Sequence, residues 1–123
     1  MIGTICSFIT PYYDTARQKN SFKSRPVLLI GIADIGDYNF LPISRVTNQN
    51  NLDPTYDLPI DPAQYPLLNL TAKSYVRIHK QSYGHKASIG QHIGDMKTEY
   101  PDLFLEVLEK LEEYNKKLIA DAL

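Results

Sequence analysis

Short runs of β-forming residues separated by turn residues occupy the chain up to about residue 93, and a helical period takes over after Pro101. The run Thr4-Ile5-Cys6-Ser7-Phe8-Ile9, stopped by Thr10-Pro11, predicts a first strand. Residues 10–24 follow neither period and predict a long polar loop of the kind that carries function. Pro26–Ile32 is an almost unbroken apolar run, which predicts a strand covered on both faces. Gly36-Asp37 predicts a turn into a further strand, Tyr38–Val46, and hence a hairpin. Pro42 inside that strand argues for an edge or a bulge.

Residues 47–69 are irregular and hold prolines 54, 59, 62 and 66. Asp61-Pro62 reads as the N-cap and first position of one short helical turn reaching Leu67 or Leu68. Leu70–Lys80 alternates: Thr71, Lys73, Tyr75, Arg77 and His79 share one face, and Ser74, Val76 and Ile78 share the other. Ala87–Ile93 predicts a last short strand ending at Gly94. From Pro101 onward Phe104, Val107, Leu108, Leu111 and Leu118, flanked by Leu103 and Tyr114, form the stripe of an amphipathic helix. Glu106–Lys110, Glu112–Lys116 and Glu113–Lys117 stand at the spacing of helical ion pairs. The pattern predicts a mainly β fold with a C-terminal α-helix: five or so strands in a small curved sheet or barrel, organised as one domain over 1–123.

Composition narrows the class. With 123 residues, 43% hydrophobic and 22% charged, the chain has the make-up of a globular domain rather than of a disordered or disulfide-built one. Cys6 stands alone, as in a reducing compartment. No apolar run reaches the ~20 residues of a membrane span, and residues 1–9 lack a basic start, so the expected location is cytoplasmic. The net charge of −1 conceals an asymmetry: ten Lys/Arg against seven Asp over residues 1–97, then three Lys against seven acids over 98–123. A basic body can engage a polyanion in spite of the acidic tail, although a mixed surface with a solvated acidic helix explains the same counts. One cysteine and three scattered histidines give no zinc spacing, and Gly31–Gly36 lacks the Lys-Ser/Thr of a phosphate loop.

The order of three pieces resembles the PemK/MazF family of bacterial toxin endoribonucleases. The first is a strand opening at Gly3, a polar loop, and then Lys23-Ser24-Arg25-Pro26-Val27-Leu28-Leu29-Ile30. The second is Leu41-Pro42-Ile43-Ser44, a strand ending in a hydroxyl. The third is Ser74-Tyr75-Val76-Arg77, followed by the C-terminal amphipathic helix. The resemblance implies a small SH3-like β-barrel with an appended helix. It also implies a homodimer, an acidic and partly disordered antitoxin as partner, and cleavage of single-stranded RNA with no metal and no cofactor.

Metal-free RNA cleavage uses the neighbouring 2′-hydroxyl as nucleophile. It needs a proton acceptor for that hydroxyl, a cation on the pentacoordinate phosphate and a proton for the leaving 5′-oxygen. The family pattern places Arg25 at the catalytic site, where a permanently charged guanidinium offers forked donors to phosphate oxygens. Ser44 matches the strand-end hydroxyl. Lys73, Tyr75, Arg77 and His79, with Lys23 and Arg17 from the polar loop, are the candidate RNA-binding residues, since cations hold phosphates and a ring can stack a base.

The chain departs from the pattern where some members carry a general-base Asp: the stretch reads Ala72-Lys73-Ser74-Tyr75. Thr4 stands where an Asp follows the opening Gly. His79 and His85, and less so His92, are what remains for a base. Two alternatives stay open. One is a non-catalytic toxin of the gyrase-targeting kind on the same fold, although such toxins use a terminal tryptophan and this chain has none. The other is a degenerate interaction protein.

Overall fold

The computed structural model describes residues 1–123. Its strands are β1 (Thr4–Asp14), β2 (Lys19–Asp34), β3 (Asp37–Ser44), β4 (Asp57–Ile60), β5 (Ser74–Arg77), β6 (Ser82–His85) and β7 (Ile89–Asp95). A single turn of helix, α1 (Met96–Glu99), leads into α2 (Pro101–Ala122). All strand pairings are antiparallel, in the order β4-β5-β3-β2-β1-β7, with β6 pairing the first half of β3. The sheet curls into a half-barrel closed by α2, as the mainly β reading with a terminal helix anticipates.

The central strands explain the unbroken apolar run. Ile5, Leu28 and Leu41 are register partners and face the main core with Ile43, Ile60, Val76 and Met96. Cys6, Val27 and Leu29 point the other way, onto Phe8 and Phe40. Both faces of β2 are thus covered from Val27 to Leu29, whereas Ile32, nearer the turn, is exposed. The turn at Ile35-Gly36 carries Gly36 at φ 80, a conformation that glycine adopts without steric cost.

The expected loop at residues 10–24 is instead the outer half of a β-hairpin. β1 and β2 stay in register from Ile5↔Leu28 to Asp14↔Lys19. Asp14 sets the reversal: its Oδ1 accepts the N–H groups of Ala16 (3.0 Å) and Arg17 (3.2 Å), and Gln18 at φ 54 completes the turn. Beyond Phe8 no side chain of this arm is fully buried, so no apolar alternation marks it as a strand.

Four further expectations shift. Pro42 is interior, between β2 on one side and two successive partners on the other. β3 faces β6 up to Phe40 and β5 from Ile43, so Pro42 falls where the partner changes. The predicted strand 70–80 is paired only over β5, because the Ile78 N–H bonds to the Tyr56 carbonyl (3.0 Å) and residues 78–80 turn into a 3-10 helix. The helical turn placed at Asp61-Pro62 is a hydrogen-bonded turn capped by Asp61, with the 3-10 helix beginning at Pro66. The strand β4, hidden in the proline-rich stretch, tolerates Pro59 because it is the edge of the sheet.

Helix α2 buries Leu103, Phe104 and Val107, with Leu111 and Tyr114 alongside. Leu108 and Leu118, read as part of the stripe, are exposed: Leu108 lies on the flank and Leu118 lies past the last anchor, the Tyr56–Tyr114 edge-on pair at 5.0 Å. Of the helical ion pairs, Glu112–Lys116 forms at 2.9 Å, while Lys110 turns to Glu113 and Lys117 to Asp121.

Candidate nucleic-acid interface

The site arises where β2 and β3 part. Their ladder ends at Val27↔Pro42, and continued register would set Arg25 opposite Ser44. Instead β3 turns to pair with β5 (Ser44↔Tyr75), while β2 continues into the hairpin arm opposite β1 (Phe8↔Arg25). Arg25 and Ser44 therefore line the walls of a cleft rather than pairing across a ladder.

Three concavities meet at this fork. One, of about 510 Å³, is walled by Arg25, Ser44, Arg45, Asn48, Thr71 and Arg77. A second, of about 440 Å³, runs from Arg25 and Ser44 past Arg77, His79 and Lys80. A third, of about 570 Å³, lies under the arm and holds Phe8, Tyr12, Lys23, Phe40, Tyr83 and His85. Arg25 is the one residue common to all three, and no carboxylate lines any of them. The Arg25 side chain has no hydrogen-bond or ion-pair partner within the chain, whereas Arg17, Arg45 and Arg77 all do.

Arg77 is held differently. Its Nε lies 3.0 Å from Asp57 Oδ1, and its Nη2 donates to Asp57 Oδ2 (3.3 Å) and to the Asn51 carbonyl (2.8 Å). The Asp57 side chain is fully buried, and its Oδ2 also accepts the Asp53 N–H (2.7 Å). The clamp ties β5 to the 48–57 loop that forms a wall of the first cleft. Asp53 itself caps the turn ahead of β4; the hydrogen bond from the Tyr56 N–H, followed by that from Thr55, holds its carboxyl below its ordinary value of 3.8. Next to Ser44 and Arg45, Val46 is held at φ 42, a strained conformation for a β-branched residue.

The structure brings Arg25, Ser44, Arg77 and His79 to one cleft and Lys23 to the adjoining one. Lys23 places its ammonium 4.2 Å from the Tyr12 ring centre, across the arm. Arg17 lies at the exposed arm tip, 3.7 Å from Asp14. Lys73 leans over Tyr75 at 5.9 Å, away from the clefts. The single face that the alternation assigns to residues 71–79 is thus broken. Arg77 and His79 are packed against Asp57, with His79 off the strand and largely buried. No three His, Cys, Asp or Glu side chains converge as a metal site would require.

Sequence reasoning missed Asp57, Arg45 and the aromatic cleft under the arm. A buried carboxylate twenty residues from its arginine has no local signature. The arm's alternation of Phe8, Thr10 and Tyr12 opposite Arg25, Lys23 and Ser21 was the available signal for the third cleft.

No protein-family model matches the chain, and no curated protein matches it by sequence. Among solved structures it is similar to the Mycobacterium tuberculosis toxin MazF-mt6. The likeness has 17% identity and a TM-score of 0.53 and covers 89% of this chain and 90% of that one. The chain has the MazF-like fold that the order of its motifs implies.

Proposed function

We propose that this protein is the toxin of a toxin–antitoxin pair and an endoribonuclease that cleaves single-stranded RNA without a metal ion. The observation that carries the reading is the unpartnered Arg25 at the meeting point of three clefts, all free of carboxylates. Arg25 is exposed and engaged by no group of the chain, so its guanidinium is free to take an anion, and a phosphodiester matches its fork. In this reading Arg25 holds the non-bridging oxygens of the scissile phosphate as negative charge grows on them, and the Ser44 hydroxyl donates a second hydrogen bond there. The 2′-hydroxyl attacks phosphorus and the P–O5′ bond breaks, leaving a cyclic phosphate and a 5′-hydroxyl. Lys23 and Tyr12 guide the strand along the arm, where a base can stack for about 1–3 kcal/mol.

Similarity of fold to MazF-mt6 supports the class, and the arginine and hydroxyl at matching points of the motif order support the chemistry. An acidic antitoxin covering the cationic clefts, a homodimer and a cytoplasmic site of action belong to the same reading. The test is incubation of the purified protein with a long single-stranded RNA in EDTA. Cleavage by the wild type and none by a folded Arg25→Ala variant is the expected result; an intact RNA with the wild type, or cleavage by Arg25→Ala at the wild-type rate, overturns it.

A further inference from the structure

The reaction just described needs a group that takes the proton of the 2′-hydroxyl, and the strand position where a carboxylate could stand holds none. We propose that His79 is that general base and that buried Asp57 is the residue that positions it; the inference rests on the nuclease reading. His79 Nδ1 is fully buried, has no hydrogen-bond partner, and lies 3.7 Å from Asp57 Oδ1. A buried ring nitrogen beside a fully buried carboxylate is best satisfied as an N–H aimed at it. That tautomer leaves Nε2 unprotonated, on a ring that lines the cleft shared with Arg25 and Ser44. A carboxylate behind one ring nitrogen raises the basicity of the other and fixes the ring's orientation.

The placement is rigid. Ile78 is wholly buried, its N–H is bonded to the Tyr56 carbonyl, and the Ser82 hydroxyl donates to the Lys80 carbonyl (2.9 Å), so the backbone on both sides of His79 is pinned. Within this cleft the side chains are otherwise those of Arg, Lys, Ser, Gln and apolar residues, so His79 carries the one imidazole among them. His85 does not compete: its Nδ1 accepts the Ala87 N–H (3.0 Å), and it lies in the other cleft under the arm. The groups that set the charge around His79 are Asp57 on β4, Asp53 before it, Arg77 and Lys80 on either side in sequence, and Lys117 with Tyr114 on α2.

In the step itself, Nε2 takes the proton of the 2′-hydroxyl as O2′ bonds to phosphorus. The departing O5′ takes a proton from water, and the imidazolium returns its own to solvent. No oxidant, metal or further reactant enters.

The experiment follows single-turnover cleavage of saturating single-stranded RNA in EDTA from pH 5 to 9, with wild type, His79→Gln, Asp57→Asn and Arg25→Ala. Nitrogen NMR of histidine-labelled wild type accompanies it. The expected results are an Nδ1–H tautomer at His79 and a wild-type rate that rises tenfold per pH unit on the acid limb before levelling. His79→Gln should lose that limb and about 10²–10⁴-fold in rate with RNA affinity kept. Asp57→Asn should move the limb to lower pH. If Asp57→Asn does not fold, the His79 variant and the wild-type tautomer decide. An Nε2–H tautomer, or His79→Gln cleaving at the wild-type rate while Arg25→Ala is inactive, overturns the dyad and leaves the nuclease standing. Wild type that leaves RNA intact overturns both.

Discussion

Truncating Arg77 to alanine separates a residue that holds the fold from one that merely faces RNA. The guanidinium gives Asp57 two of the contacts that satisfy its carboxylate, at 3.0 and 3.3 Å, and the acid side chain is entirely buried. Removing the cation leaves an uncompensated buried charge, a change that costs about 3–5 kcal/mol. For a chain of this size, whose whole stability is on the order of 6–18 kcal/mol, that is a large fraction. It corresponds to a fall in Tm of roughly 10–20 °C. Replacing both partners at once, Asp57→Asn with Arg77→Ala, removes the charge with its counter-ion and should recover much of the loss. The assay is urea unfolding of the four proteins of the cycle, with the coupling read as the departure from additivity. Arg77→Ala within about 0.5 kcal/mol of wild type, the range of an ordinary surface substitution, would refute the argument and leave Arg77 an ordinary surface cation.

Other outcomes follow from the same coordinates. Arg25→Lys keeps the charge but loses the fork, and cleavage should recover far less than the conserved charge would predict, with Tm unchanged. A Cβ added at Gly84 would collide with the ring of buried Phe8, so Gly84→Ala should lower stability by about 1–3 kcal/mol in denaturant titration, and an unchanged midpoint would contradict the packing. Lys23→Ala should weaken binding to single-stranded RNAs of different sequence alike and reduce the slope of affinity against salt by about one counterion, measured by fluorescence anisotropy. The depressed Asp53 carboxyl supplies stability above the ordinary carboxylate range that fades as pH falls through it toward the lower folded value. Melting curves from pH 6 to 3 should therefore decline more steeply for wild type than for Asp53→Asn.

What the sequence reveals about this fold is what water reveals. The terminal helix and the Val27–Leu29 run are legible because burial writes a period or an unbroken apolar stretch into them. The hairpin arm of residues 10–24 is illegible for the converse reason: backbone pairing holds it, none of its side chains is fully buried, and its residues are free to be polar. The edge strand β4 is disguised by Pro59, which only an edge tolerates. At the candidate site, Arg25 and Ser44 are visible through motif order, whereas the tie from Asp57 to Arg77 spans twenty residues and leaves no local trace. The alternation at 74–77 correctly separates buried Val76 from Arg77, but polarity was read as exposure, and a carboxylate below the surface made it otherwise.

The contrast between Arg25 and Arg77 explains how a concentration of cations is tolerated in one cleft. Three guanidiniums around one cavity repel one another, and an acid exposed among them would relieve this at the expense of any incoming anion. The fold instead places its carboxylate behind the wall: Asp57 neutralises Arg77 from the buried side, and that pair anchors the loop bearing Asn48 and Asn51. Arg45 is turned to the Thr71 hydroxyl, 3.2 Å from its Nη2. Arg25 alone is left with neither acid nor hydroxyl, at the one point where the main sheet forks and no strand is available to cover it. The same divergence that frees β2 to build the arm thus removes the neighbour that would have satisfied its arginine. An unpaired, solvent-exposed cation there is a consequence of strand topology.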